Sequence, residues 1–264
     1  MVLLDFIFLI ALLLVFFTGF LFAPLGLGGG LLFVPILHYV VGWPLDPATI
    51  VISLLLTGCV SYGSGLVHHR EGLVDIGRIR LGAPSALIGC VVGAIIVNML
   101  GNSLDVVFKI LALSIIIWAI VKTSRRISTG RIQIEGGDTR DLELMIGTGF
   151  GGMASSVLAI GAGAIYIPVL NQFGGLESRK AIGTSLGLMM LVVPVSVLTH
   201  GLLFEGIWPN LRYIFGLPIA VVFGSIIGAK IGLNLSEKTV LSGFVLVLSI
   251  VLIRYLIDLI SIFY

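Results

Sequence analysis

The stretch PLGLGGGLLFVPIL, residues 24–37, has a counterpart in AIGAGAIYIPVL, residues 159–170. Each sets glycines inside an apolar run and places a proline, Pro35 or Pro168, five residues after its last glycine. Glycine lets a chain turn sharply and approach a neighbour closely, so each stretch reads as an interruption followed by a new helix start. The apolar runs that follow, 28–41 and 161–173, hold about 13 residues each, which as helix cover roughly 20 Å of a hydrocarbon core about 30 Å thick. They are too short to cross alone and read as broken or half-membrane helices, with Pro35 and Pro168 as structural helix breaks.

The rest of the chain supplies the membrane. Of 264 residues, 58% are hydrophobic and 11% charged, with a mean hydropathy of +1.19. A soluble domain carries about 25% charged residues, so this chain lacks the surface a water-facing fold needs. No Asp, Glu, Lys or Arg falls in 6–45, 47–69, 81–104, 144–176 or 181–204. Cutting at charges and at Gly/Pro clusters gives apolar segments at 3–24, 28–41, 47–67, 79–99, 105–122, 143–159, 161–173, 180–203, 212–234 and 238–260. The fold class is therefore all-α, a polytopic membrane protein. The first segment has no Lys or Arg ahead of it and runs well past the length of a signal-peptide core, so it reads as a membrane helix. A net charge of +2 with scattered basic residues offers no footprint for nucleic acid. Cys59 and Cys90 lie inside apolar runs without metal spacing and read as small hydrophobes.

The one long polar stretch carries Lys122, Arg125, Arg126, Arg131 and Arg140, which the positive-inside rule assigns to the cytoplasm. Counting each segment as one traverse puts Arg70, Arg78, Arg80, Arg179, Lys180 and Lys238 on the same side and both termini outside. Lys109 and Lys230 lie near segment ends and read as snorkelling to an interface.

The two Gly-rich stretches belong to a longer self-similarity. At an offset of 133, Gly19 falls on Gly152, Gly28 on Gly161, Gly30 on Gly163, Phe33 on Tyr166, Pro35 on Pro168 and Ala48 on Ala181. Further on, Gly82 and Pro84 match Gly216 and Pro218, and Gly93-Ala94 matches Gly228-Ala229. The division is a first membrane repeat, 1–123, a cytoplasmic linker, 124–141, and a second repeat, 142–264. Each half has five segments, an odd number, so the second is inverted. Inverted repeats with discontinuous helices in matching positions point to a midplane site in a secondary transporter.

A helix that starts just after such glycines presents unpaired N–H groups with partial positive charge, a setting for an anion. Gly28, Gly29, Gly30, Gly161 and Gly163 are the candidate substrate-binding backbone. Ser53 and Thr57 in the first half, and Ser155, Ser156, Asn171, Gln172, Thr184 and Ser185 in the second, can complete the coordination. The pairs Gly89 with Gly93 and Gly224 with Gly228 read instead as close helix packing. Among titratable groups, His69 and His200 are the candidates for a proton relay.

The paired Gly-rich turns each followed by VP or IP, the AIGTS stretch at 181–185, the G-x-P helices and the duplication resemble the TauE/SafE sulfite exporter family, also called TSUP transporters. The resemblance spans nearly the whole chain. It implies alternating-access transport, as an exporter, of a small sulfur-containing anion such as sulfite or an organosulfonate across the cell membrane, coupled to a proton or sodium ion. No cofactor or metal is implied, and the partners are the anion and the bilayer. The chain departs from the family pattern in having Gly161-Ala162-Gly163 where more glycines are usual, and Ile52-Ser53 where a Thr-Ser pair is expected. An intramembrane enzyme, suggested by Gly63-Ser64-Gly65 with His68 or His200, and a passive anion channel are the alternatives. Neither GxxxxGK[ST] nor HExxH occurs, so ATP hydrolysis and zinc-protease chemistry have no motif here.

Overall fold

A computed structural model describes residues 2–128, 137–206 and 208–263, and every regular element among them is helical. The helices are α1 (Val2–Phe22), α2 (Gly30–Pro35, continued by a π-helical turn Ile36–Val40), α3 (Pro47–Arg70), α4 (Ile76–Leu100), α5 (Leu104–Ser128), α6 (Asp141–Leu158), α7 (Gly163–Gln172), α8 (Ser178–Leu203), α9 (Leu211–Gly232) and α10 (Glu237–Phe263). Seven of them, α1, α3, α4, α5, α8, α9 and α10, are long and apolar enough to cross a membrane. Polar residues between the apolar runs fix several starts. Asp46 accepts from the Thr49 amide at 2.9 Å ahead of Pro47, Asp75 from the Arg78 amide at 2.9 Å, and Asn210 from the Arg212 amide at 3.0 Å. Each satisfies one of the amides that a helix start leaves without an internal partner.

Helices α3 and α8 form the buried centre, packed on each other. Around them the contacts come in matched pairs: α1 lies along α9 and α6 along α4, α3 touches α9 and α8 touches α4, and α5 pairs with α10. Small residues allow the close approaches, as in membrane bundles generally. Gly216, Gly224, Gly228 and Gly232 meet Phe8, Phe16, Phe20 and Pro24, so α1 and α9 run in the same direction. Gly82, Gly89 and Gly93 meet Thr148, Gly149 and Met153, so α4 and α6 also run together.

The short helices turn back. Trp43, just past the π-helical turn, stacks on Tyr213 at 5.2 Å between ring centroids, and Phe8 from the start of α1 stacks on the same ring at 5.0 Å. Likewise the Arg140 amide ahead of α6 donates to Phe173 O, just past α7, at 2.8 Å. The α1–α2 and α6–α7 segments are therefore helical hairpins that leave the bundle at the end where they entered. This corrects the count of one traverse per segment: the through-passages of each half are α3–α5 and α8–α10, still an odd number. The two hairpins enter from opposite ends. Asp75, at the start of α4, donates its amide to Thr184 Oγ1 at the start of α8 at 2.9 Å. Gly232 at the end of α9 shares a cavity wall with Arg179 at that same start of α8.

Lys109 does not snorkel. It is 4% exposed, with its Nζ 2.7 Å from Asp258 of α10 and 2.9 Å from Asp105. The α5–α10 pairing delivers the second carboxylate, so the ammonium is neutralised where it stands rather than reaching for water. Lys230, by contrast, is exposed at the end of α9. Of the expected linker 124–141, residues 124–128 extend α5 and the stretch from Gly137 docks on α7 through Gly137 N–H to Asn171 O at 2.9 Å. Residues 129–136, with Arg131, lie outside the described residues.

Candidate functional site

The two hairpin tips meet. Gly26, Gly28 and Gly29 have φ values of 66°, 76° and 77°, and Ala159, Gly161 and Ala162 repeat the pattern with 54°, 75° and 55°. A Cβ placed on Gly28 would stand 3.6 Å from Gly161 Cα, and one on Gly161 would stand 3.6 Å from Gly28 Cα. The next contacts are reciprocal too: a Cβ on Gly30 would overlap Ala159 O, and one on Gly163 would overlap Gly26 O. Each tip thus fits against the backbone of the other, and each leads into a helix start.

The central helices hold this crossing by its carbonyls. Ser53 and Thr57 of α3 donate to Ala159 O at 3.3 and 3.4 Å, and Ser185 of α8 donates to Gly26 O at 3.1 Å. The Thr57 methyl and Met189 sulfur pack against both Gly28 and Gly161. In α7 the first amides to bond back into the helix are Ile165 and Tyr166, both to Ala162 O at 2.8 and 2.7 Å. That leaves the Gly163 and Ala164 amides outside the helix ladder, and both residues line a cavity of about 520 Å3. In α2 the first bonds, from Leu32 and Phe33 to Gly29 O, leave Gly30 and Leu31 in the same position.

The cavity runs from the crossing to one end of the bundle. Leu25 and Leu27 of the first tip and Gly163 of the second form its inner part, while Lys122 and Arg179 stand on its wall. Lys122 Nζ lies 4.5 Å from the centroid of the Trp118 ring, which also lines it. Two cationic side chains on its wall, with no carboxylate among the described lining residues, favour anions inside it. Ser155 and Tyr166, each within two turns of the second tip, have buried hydroxyls that find no hydrogen-bond partner among the described residues.

The expected site residues divide. Gly28, Gly30, Gly161, Gly163, Ser53, Thr57 and Ser185 come together at the crossing, and Gly29 faces Phe33 and Thr18 of its own hairpin. Thr184 points elsewhere, accepting the Asp75 amide, and Asn171 lies near the far end of α7, where its Nδ2 donates to Leu176 O at 2.7 Å and it lines the cavity. The interruptions fall at 26–29 and 159–162; Pro35 marks the passage from α-helix to π-helical turn, and Pro168 lies inside α7. His69 is exposed, whereas its neighbour His68 lines the cavity, and His200 is buried beside Ser156. The register across α3 and α8 is 132 rather than the 133 of the tips: Ser53 matches Ser185, Thr57 matches Met189, Ser64 matches Ser196 and His68 matches His200. The repeated S-x-x-x-H spacing was the available signal for His68.

Comparison with known proteins gives the family. The family model described as Sulfite exporter TauE/SafE matches residues 11–255. A curated relative from Haemophilus influenzae, named as a probable membrane transporter protein, is 28% identical over 258 residues, covering 90% of this chain and 93% of its own. No solved structure matches.

Proposed function

Because this chain belongs to the sulfite exporter TauE/SafE family, and so is a multi-pass membrane transporter, we propose that it carries a small sulfur-containing anion by alternating access, in the outward direction across the cell membrane. One observation carries this reading: two left-handed helix interruptions meet backbone to backbone at the inner end of a cavity with Lys122 and Arg179 on its wall. The anion sits against the free amides of Gly163 and Ala164, with Gly30, Leu31 and the hydroxyls of Ser53, Thr57 and Ser185 completing or bracing the site. Neutral donors favour an ion that must also leave, because a fully paired charge would hold it.

Halves 1–123 and 142–264 are read as inverted copies, and the matched pairs of helix contacts support that reading. Exchange of roles between the halves then supplies the second access state. The end bearing Lys122, Arg140 and Arg179 is assigned to the cytoplasm by its excess of basic residues, so the cavity faces inward, where an exported anion is collected.

The test is thermal stability of the purified protein against sulfite, thiosulfate, sulfate and taurine. A ligand bound only by the folded state stabilises by about 2.7 kcal/mol at a hundred times its dissociation constant. Sulfite is expected to raise Tm in a concentration-dependent way and taurine, a zwitterion, much less; equal shifts with all four would defeat the assignment of a sulfur oxyanion.

A further inference from the structure

A crevice at the end of the bundle away from the cavity has no room for a water molecule, and Val97, Asn98, His200 and Pro47 stand on its wall. At the offset of 135 that sets Gly93 on Gly228, Val97 and Asn98 fall on Gly232 and Leu233. At the offset of 132 that holds across α3 and α8, His200 falls on His68 and Pro47 on Arg179. All four counterparts line the cavity of about 520 Å3. The two halves therefore build equivalent walls at opposite ends, one set standing apart and the other pressed together.

The outer pair of helices repeats the contrast. The run LALSIII of α5, residues 111–117, matches LVLSIVL of α10, residues 246–252, again at 135. That register sets Ala119 on Arg254 and Thr123 on Asp258. Ala119 and Thr123 line the open cavity, as does Gln172 at the end of α7. The counterpart of Gln172, at the tip offset of 133, is Tyr39. At the closed end that side chain is gripped. Tyr39 Oη donates to Asp258 Oδ2 at 3.2 Å, Arg254 lies 4.4 Å from the centroid of its ring, and the Tyr255 ring packs edge-on at 5.6 Å. Asp258 is itself held 2.7 Å from the buried Lys109 ammonium. The backbone differs at the same place, since α7 stays α-helical to Gln172 whereas Tyr39 sits in a π-helical turn closed by Val41 N–H to Ile36 O at 3.1 Å. Turns of this kind recur at functional sites.

We propose that Tyr39, latched on Asp258, is the outer gate of the anion path and that Gln172 with Thr123 is its inner counterpart, the two closing in alternation. The inference rests on the carrier reading above. In this state the outer gate is shut and the inner one stands open. In the second state Tyr39 leaves Asp258, the crevice widens into the counterpart of the cavity, and Gln172 closes on Thr123. The Tyr39 hydroxyl bond belongs to the outer-closed state alone, so its loss moves the balance toward outer opening; a bond between Gln172 and Thr123 belongs to the other state, so its loss moves the balance back.

Labelling of the full chain with a membrane-impermeant maleimide, added outside intact cells, tests this. Val97→Cys is the reporter, because Val97 is 1% exposed and sits on the crevice wall. Its rate is taken above that of the protein carrying only Cys59 and Cys90. Adding Tyr39→Phe keeps the ring and removes the hydroxyl. It is expected to raise the rate by about tenfold, the effect of losing one hydrogen bond to a charged group. Adding Thr123→Val instead, at the opposite end of the bundle, is expected to lower the rate by about threefold, the effect of losing a neutral one. A rate that does not rise with Tyr39→Phe overturns the proposal. So does one that does not fall with Thr123→Val, because a latch that loosens only its own end is no gate of the cycle. Sulfite counterflow by the unaltered protein in proteoliposomes separates the two readings: its absence rejects the carrier and the gates with it, whereas counterflow alongside unresponsive labelling rejects the gates alone.

Discussion

The two hairpin tips have the same backbone and different sequences. The first meets its three left-handed positions with Gly26, Gly28 and Gly29, whereas the second uses Ala159, Gly161 and Ala162. An L-residue in the left-handed region costs about 1–2 kcal/mol, so the second tip is held in a conformation its own sequence resists. What holds it is the other tip and the hydroxyls of α3, since Ala159 O lies against Gly30 and accepts from Ser53 and Thr57. The shape is thus a property of the crossing rather than of either glycine run. The far ends of the hairpins differ in another way. Tyr39, in the π-helical turn after α2, donates to Asp258 at 3.2 Å within the Lys109 ion cluster, while α7 is fastened at its end by main-chain bonds to Gly137 and Arg140.

If the tips are mutually dependent, the largest effect should come from forcing them apart. Gly163→Val puts side-chain atoms where Gly26 O and Leu27 Cα already stand, and Gly30→Val does the same at Ala159 O and Ile160 Cα. In both places the obstacle is backbone, which cannot swing aside as a side chain does. Each variant is expected to abolish sulfite-dependent stabilisation, with a loss of about 3 kcal/mol in folding stability, the upper end of the range for overpacking. Retained sulfite binding in either variant would mean that the tips separate without consequence.

The next effect tests the far ends. Asp258→Asn leaves Lys109 buried with Asp105 as its one charged partner among the described residues, and weakens the hold on Tyr39. Breaking a buried ion pair from one side typically costs about 3–5 kcal/mol, here reduced because Asp105 remains. A Tm drop of about 5 °C or more is expected. Asn171→Ala, at the matching end of α7, removes the side-chain bond to Leu176 O and is expected to cost only about 1 kcal/mol. Equal drops would show that the ion cluster does not distinguish the two hairpins.

This asymmetry bears on what the sequence could tell. Helix limits were legible to within a few residues because charges and caps such as Asp46 and Asp75 punctuate the apolar runs. The expectation of inverted halves rests on segment parity, and that of a duplication on co-registered Gly and Pro. The azimuth of individual side chains was not legible. His68 and His69 differ by about 100° around a helix, and only the packing of α3 against α8 and α9 decides which of them meets the cavity. Lys109 looked like an end residue because its partner, Asp258, is 149 positions away. Thr184 and Ser185 form one motif in sequence but face α4 and the first tip respectively.

A smaller effect follows from exchanging the residue types of the tips. Ala159→Gly removes a left-handed alanine but adds freedom to the unfolded chain, which offsets about 0.4–1 kcal/mol of the gain. A net stabilisation of roughly 0.5 kcal/mol is expected. Gly26→Ala should act in the opposite sense and more strongly, because its Cβ would also press on Ile182 Cγ2 at 2.8 Å and Ile182 O at 3.1 Å. Chemical or thermal unfolding of the two single variants measures the difference. A destabilised Ala159→Gly protein would mean that the alanine methyl contributes packing that outweighs its backbone conformation.

The smallest effect is expected from the hydroxyls, and it is also unequal between the tips. Ala159 O accepts from Ser53 and from Thr57, at 3.3 and 3.4 Å, while Ser185 Oγ reaches Gly26 O at 3.1 Å and Ile182 O at 2.9 Å. Removing Ser53 Oγ leaves Thr57 on the same carbonyl, so Ser53→Ala should cost no more than about 0.5 kcal/mol, the low end for a neutral hydrogen bond. Ser185→Ala takes its donor from Gly26 O, and should cost about 1 kcal/mol. The same order should hold for sulfite affinity, with Ser185→Ala weakening it a few-fold and Ser53→Ala hardly changing it. The reverse order would mean that Ser53 contacts the anion itself instead of bracing the second tip. In that case the unequal hydroxyls would be a feature of the binding site, and the strained alanines would be supported by the first tip alone.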